Sequence, residues 1–171
     1  MTQTTSVPPP VGEPAPDFTL KDTEMRPVRL RDFHGRTVVL LFYPAAFSRV
    51  CTAELCTFRD GMAELHELDA QVLGISVDLP YALREFKRAQ GLEYPLLSDF
   101  DRIAIEAYGV VHRDFNCFTS GVAMRSVFVV DANGVIAWEW IADLQGESPD
   151  YDAVREAVAA ASGSRTPAAG R

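Results

Sequence analysis

The chain contains no apolar run near the ~18–20 residues that a membrane-spanning helix requires. Its first ten residues, ending in Val7-Pro8-Pro9-Pro10, have neither a basic stretch nor an apolar core, which reads against a secretory leader. Cysteine is scarce: three in 171 residues, an odd count that suits no secreted disulfide framework. These absences predict a cytoplasmic protein without a membrane partner. Positive charge is also in short supply, with 16 Lys and Arg against 24 Asp and Glu and a formal charge of −8. That balance argues against a nucleic-acid partner and against docking on anionic lipid. Residues 1–60 carry seven charges of each sign, so the whole acidic excess falls in residues 61–171. No Gly-x-Gly-x-x-Gly or Walker loop is present to cradle phosphates, and no Cys-x-x-Cys to act as a disulfide reductase. His34, His66 and His112 are scattered without zinc-ligand spacing and read as a turn, a helix-surface and a loop residue. No metal or cofactor is expected.

What is present is an ordinary globular composition, 47% apolar and 23% charged, in a length that suits one domain. Residues 1–10 and 161–171, rich in Pro, Ser, Gly and Ala, read as disordered tails around a single domain over 11–160. Within it, residues 18–20 and 28–30 suggest a small hairpin. Residues 37–43 (TVVLLFY) form a continuous β-branched apolar run, as expected of a strand buried on both faces. A long helix is predicted over about 50–68, a second buried strand over 71–77, and a helix over 81–90 that Gly91 ends. A short strand at 96–97 and a helix at 102–108 follow. Strands at 126–130 and 135–140 are joined by Asp131-Ala132-Asn133-Gly134, a hairpin turn, and a helix over 151–161 closes the chain. This order predicts an α/β sandwich with a mixed sheet, thioredoxin-like, carrying an N-terminal β extension.

Cys51 falls in the first turn of the long helix, just past the carboxyl end of the 37–43 strand. Ligands bind at such strand ends in open α/β sheets. Unpaired N–H groups and the positive dipole end at a helix start both stabilise a thiolate, which is the nucleophilic form of cysteine. Cys51 also shares a helical stripe with Leu55, Phe58, Met62 and Leu65, so the same pattern suits a small buried hydrophobe.

The flanking residues bear on that choice. Pro44-x-x-x-Ser48-x-x-Cys51 resembles the peroxidatic signature of the peroxiredoxin family. So do residues 11–18 (VGEPAPDF), the strand leading to Pro44, Arg59-Asp60, and Arg125-Ser126 with the strand after it, all in the family's order. The resemblance spans about residues 11–140. The segments 51–60 (CTAELCTFRD) and 74–78 (GISVD) are similar to the alkyl hydroperoxide reductase E type, and the Cys-x4-Cys spacing equally to the bacterioferritin-comigratory (Q) type.

The resemblance implies a thiol peroxidase acting on hydrogen peroxide and organic hydroperoxides. Cys51 would attack and become a sulfenic acid, with Arg125 as the guanidinium beside it. Ser48 would offer its hydroxyl to sulfur and peroxide, a task compatible with capping the helix. Pro44 would shield the thiolate, and Glu54 would organise the arginine. Arg49 departs from the family, which commonly has Pro at that position. A thiol must then restore the sulfenic acid. Cys56 is the near candidate, but residues five apart on a helix have Cα atoms ~8–9 Å apart, whereas a disulfide spans ~4.4–6.8 Å. Pairing Cys51 with Cys56 therefore requires the first turn to unwind, as the Q-type resemblance implies. Cys117 and an external thiol are the other resolvers. The expected partners are thioredoxin, another dithiol or a low-molecular-weight thiol as reductant, and a second copy of the chain in a homodimer. A redox-sensing or holdase protein that uses Cys51 without turnover is the competing reading.

Overall fold

The computed structural model describes residues 7–113, 121–144 and 146–163. Seven strands form one sheet in the order β2-β1-β5-β4-β3-β8-β9. An interior strand is β3 (Thr37–Phe42), every residue of which is buried, as its uninterrupted β-branched and aliphatic run demands. β3 runs parallel to β4 (Ala70–Ser76), and β4 parallel to β5 (Leu96–Ser98). On the other side β8 (Ser126–Val130) is antiparallel to β3 and is followed antiparallel by β9 (Ile136–Ile141). The N-terminal hairpin of β1 (Thr19–Asp22) and β2 (Pro27–Arg29) adds to the opposite edge, antiparallel to β5. Leu30, read as the end of this hairpin, instead opens a 3-10 turn over Leu30–Phe33.

Alternation along β3 divides the core. Val39, Leu41 and Tyr43 point to one layer with α1 (Arg49–Asp60), α2 (Met62–Glu67), α3 (Pro80–Gln90) and α5 (Tyr151–Gly163). Val38, Leu40 and Phe42 point to the other, with α4 (Ile103–Ala107) and the N-terminal segment. This is the mixed-sheet, three-layer thioredoxin-like sandwich expected from the order of elements.

Three details differ from the sequence reading. The helix expected over 50–68 breaks at Gly61 into α1 and α2, because the Tyr151 ring lies where a side chain would sit: a Cβ on Gly61 would fall 1.8 Å from the phenol oxygen. α5 continues to Gly163, so Ala161, assigned to a tail, is a buried helical residue of the core. His112, read as a loop residue, belongs to β6 (Val111–His112), which pairs with β7 (Val122–Ala123) in a separate two-stranded sheet. These strands are too short to leave a periodic trace. No helix among the described residues is long and apolar enough to cross a membrane.

Candidate active site

The loop over residues 43–48 carries the chain from the end of β3 to the start of α1. The Tyr43 N–H donates to the Ile75 carbonyl at 3.1 Å, extending the β3–β4 ladder by one residue. The Asp78 carboxylate then holds the loop from below, accepting from the Ala46 N–H and from the Ser76 hydroxyl at 2.8 Å each. Phe47 adopts a left-handed conformation, φ +64°, which lets the chain turn sharply into the helix. Its exposed ring rests on Phe86 of α3 with centroids 5.0 Å apart.

Ser48 is the N-cap of α1, and its hydroxyl accepts from the Cys51 N–H at 3.3 Å. Cys51, third in the helix, is fully buried. Glu54 follows one turn later on the same face and is only 4% exposed. Arg125 immediately precedes β8, at the sheet end where β3 releases the loop, because Ser126 lies opposite Phe42. Its carbonyl is fixed by the Ala142 N–H at 2.9 Å. Both terminal nitrogens of its guanidinium lie 3.5 Å from the Cys51 sulfur, and Nη1 also donates to Glu54 Oε2. Two residues 74 positions apart thus meet inside the core.

The electrostatics centre on one cation shared by two acids. Burial drives the Glu54 carboxyl up, and Arg125 pulls it partly back, leaving it at about 7. Burial also opposes the Arg125 charge, but Glu54 and the Cys51 sulfur more than offset it, so the guanidinium sits above its ordinary value. A cavity of about 60 Å³ opens onto Arg125 and Pro44, and is walled by His112, Met124, Ala142 and Leu144. A small molecule entering it reaches the guanidinium with Pro44 at its side.

Residues 11–139 match the AhpC/TSA family. This chain is a peroxiredoxin. It is 44% identical over 138 residues to a candidate peroxiredoxin of Mycobacterium tuberculosis, covering 80% of this chain and 86% of that one. It is 40% identical over 151 residues to peroxiredoxin-2 of Bos taurus, covering 82% and 73%. Among solved structures, peroxidoxin BcpB of M. tuberculosis superposes with a TM-score of 0.76 at 30% identity, covering 91% of this chain and 98% of the other. A peroxiredoxin-like protein of Aquifex aeolicus gives 0.82 at 25% identity, covering 90% and 88%. Membership makes the chain a thiol-dependent peroxidase that needs a peroxide and a thiol reductant.

Of the residues singled out by sequence, Cys51, Glu54 and Arg125 come together, with Ser48 at the helix cap and Pro44 at the cavity wall. Cys56 stands apart on the half-buried flank of α1, its thiol donating to Gln90 Oε1 at 3.7 Å. Arg59 joins it there, donating to the Gln90 carbonyl at 2.6 Å. Arg49, in the place the family commonly gives to proline, is exposed to solvent. Cys117 lies outside the described residues. Sequence reasoning missed the cavity wall formed by His112, Met124, Ala142, Asp143, Leu144 and Gly146. No motif marks those positions, which the β6–β7 and β8–β9 pairings bring to the site.

Proposed function

We propose that this peroxiredoxin reduces hydrogen peroxide and organic hydroperoxides with the Cys51 thiolate as nucleophile and Cys56 as resolving thiol. The observation that carries the reading is the convergence of both Arg125 terminal nitrogens on the Cys51 sulfur beside a cavity wall. In this reading the sulfur attacks the near oxygen of the O–O bond in line. The S–O bond forms as the O–O bond breaks, sulfur is oxidised, and the far oxygen leaves with the electron pair and takes up a proton to become water or alcohol. The guanidinium stabilises both the starting thiolate and the charge moving onto oxygen. Ser48, one turn before the sulfur, orients the peroxide with its hydroxyl while keeping its role as cap. Pro44 limits water at the sulfur, and Glu54 fixes the guanidinium plane.

The second step condenses the sulfenic acid with the Cys56 thiol, forming S–S and releasing water, after which an external dithiol such as thioredoxin donates two electrons and two protons. It requires α1 to unwind over its first turn, where helix ends fray at least cost. The second half of α1 is anchored against this by the Tyr94 phenol, which donates to the Leu55 carbonyl at 2.8 Å, and by the Arg59 and Cys56 contacts with Gln90.

One equivalent of hydrogen peroxide added to reduced protein, followed by thiol trapping and peptide mass spectrometry, tests the reading. A Cys51–Cys56 disulfide is the expected product, replaced by trapped Cys51 sulfenic acid in Cys56→Ser. Cys51 sulfenic acid with Cys56 still a thiol in the unsubstituted protein would transfer resolution to an external thiol. An unreacted Cys51 would overturn the site assignment.

A further inference from the structure

Glu54 faces two spaces. Its Oε2 accepts from Arg125 on the Cys51 side. Its Oε1 is buried and has no hydrogen-bond partner in the protein. Glu54 also lines a second cavity, which shares no lining residue with the one at Arg125 and Pro44. That cavity measures about 100 Å³ and is bounded by Ala53, Thr57 and Phe58 of α1 and by Ser148, Pro149 and Tyr151 at the entry to α5. Roughly 10–15 Å³ suffices for one water, so this space admits several. The Oε1 atom itself is closed off from that space, so among the described residues the carboxyl has Arg125 as its hydrogen-bond partner.

The charges around Glu54 are few. Among the described residues, Arg125 before β8 is the cation bonded to Glu54, and Cys51 on the same helix as Glu54 is the other acid bonded to its terminal nitrogens. Tyr43 and Tyr94 approach from the core and Tyr151 from α5, and burial raises all three phenols, so they stay neutral. One cation therefore serves two potential anions, and a buried site with a single guanidinium is electrically balanced by only one of them at a time.

We propose that Glu54 is a proton reservoir: it is protonated while Cys51 is a thiolate and gives its proton up when the sulfur loses its charge. The balance closes. Thiolate, carboxylic acid and hydroperoxide become sulfenic acid, carboxylate and alcohol, so the proton required by the departing oxygen is matched by the one Glu54 loses. The buried cluster is neutral before the step, as Arg125 cation with Cys51 anion, and neutral after it, as Arg125 cation with Glu54 anion. The inference rests on Cys51 being the oxidised sulfur. Burial holds the Glu54 carboxyl at about 7, in the range where such an exchange costs little.

Infrared difference spectroscopy of the full chain, reduced against oxidised with hydrogen peroxide near neutral pH, reads the carboxyl directly. The expected result is a protonated-carboxyl band in the reduced protein that disappears on oxidation and is absent from Glu54→Gln. Cys51→Ser, which removes the competing anion without touching Glu54, should lose the band at a lower pH than the reduced protein does. A carboxyl band unchanged by oxidation, or lost at the same pH in Cys51→Ser as in the reduced protein, overturns the reservoir. Mass spectrometry of the same samples reports whether Cys51 was oxidised, so failure of the peroxidase reading is seen separately.

Discussion

Glu54→Gln should abolish a loss of stability between weakly acidic and neutral pH, and the structure sets the size of the effect. Glu54 is 4% exposed and its carboxyl lies at about 7 in the fold. In the unfolded chain it returns to its ordinary value of 4.5. Between these two values the folded state holds a proton that the unfolded state has released, so stability falls as pH rises through that window and is constant above it. At about 1.36 kcal/mol per pH unit the loss is ~3 kcal/mol. Gln keeps the shape and an acceptor for Arg125 but cannot ionise. Urea unfolding of the reduced proteins at a series of pH values from ~5 to ~8 should therefore give a stability difference, variant minus unsubstituted, that climbs by ~3 kcal/mol with unchanged m values. With both proteins in a Cys51→Ser background the coupled sulfur is absent, and every other titrating group is common to both and cancels. A difference that stays flat across the range would refute the reasoning, because Glu54 would then be ionised throughout and Arg125 would outweigh its burial.

Three further outcomes follow from named contacts. Arg125→Lys removes the forked donor pair from the sulfur, and peroxide-dependent oxidation of Cys51 followed by stopped flow should slow by roughly 10²–10³-fold. Ser48→Ala should cost ~1 kcal/mol through loss of the cap on α1, while Ser48→Thr, which keeps the hydroxyl, should recover both stability and rate. Tyr94→Phe deletes the buried bond to the Leu55 carbonyl, lowering stability by ~1 kcal/mol and speeding Cys51–Cys56 disulfide formation after peroxide addition. Equal disulfide rates in the two proteins would remove Tyr94 as an anchor of α1.

The sheet was legible from sequence wherever burial was complete. The TVVLLFY run and the Asp-Ala-Asn-Gly turn each translate into one structure, since a continuous apolar run ending in a loop leaves few alternatives. Pro44, Ser48 and Cys51 were legible for a related reason: strand end, cap and first helical turn are local features. Arg125 entered only through resemblance, because nothing near it in the chain says that β8 will lie beside β3. The break at Gly61 was hidden for the same physical cause, its trigger being a tyrosine 90 positions away. The wall of the cavity at Arg125 and the Gln90 contact of Cys56 are likewise made by packing between distant segments, which a one-dimensional pattern does not encode.

The first thirty residues close both sides of the sheet. β1 and β2 cover the outer side of β5, while residues 12–15 bond to Gly134 and Ile136 at the start of β9. On a ribosome these residues emerge before the segments they bond. The hairpin must wait for residue 98 and the strap for residue 136. Once made, and until the N-terminal segment docks on them, β5 and the start of β9 present unpaired backbone to any neighbouring chain. Synthesis order and assembly order thus run opposite ways at the edges, and a nascent chain stalled before residue 136 carries its own edge protection without a place to put it.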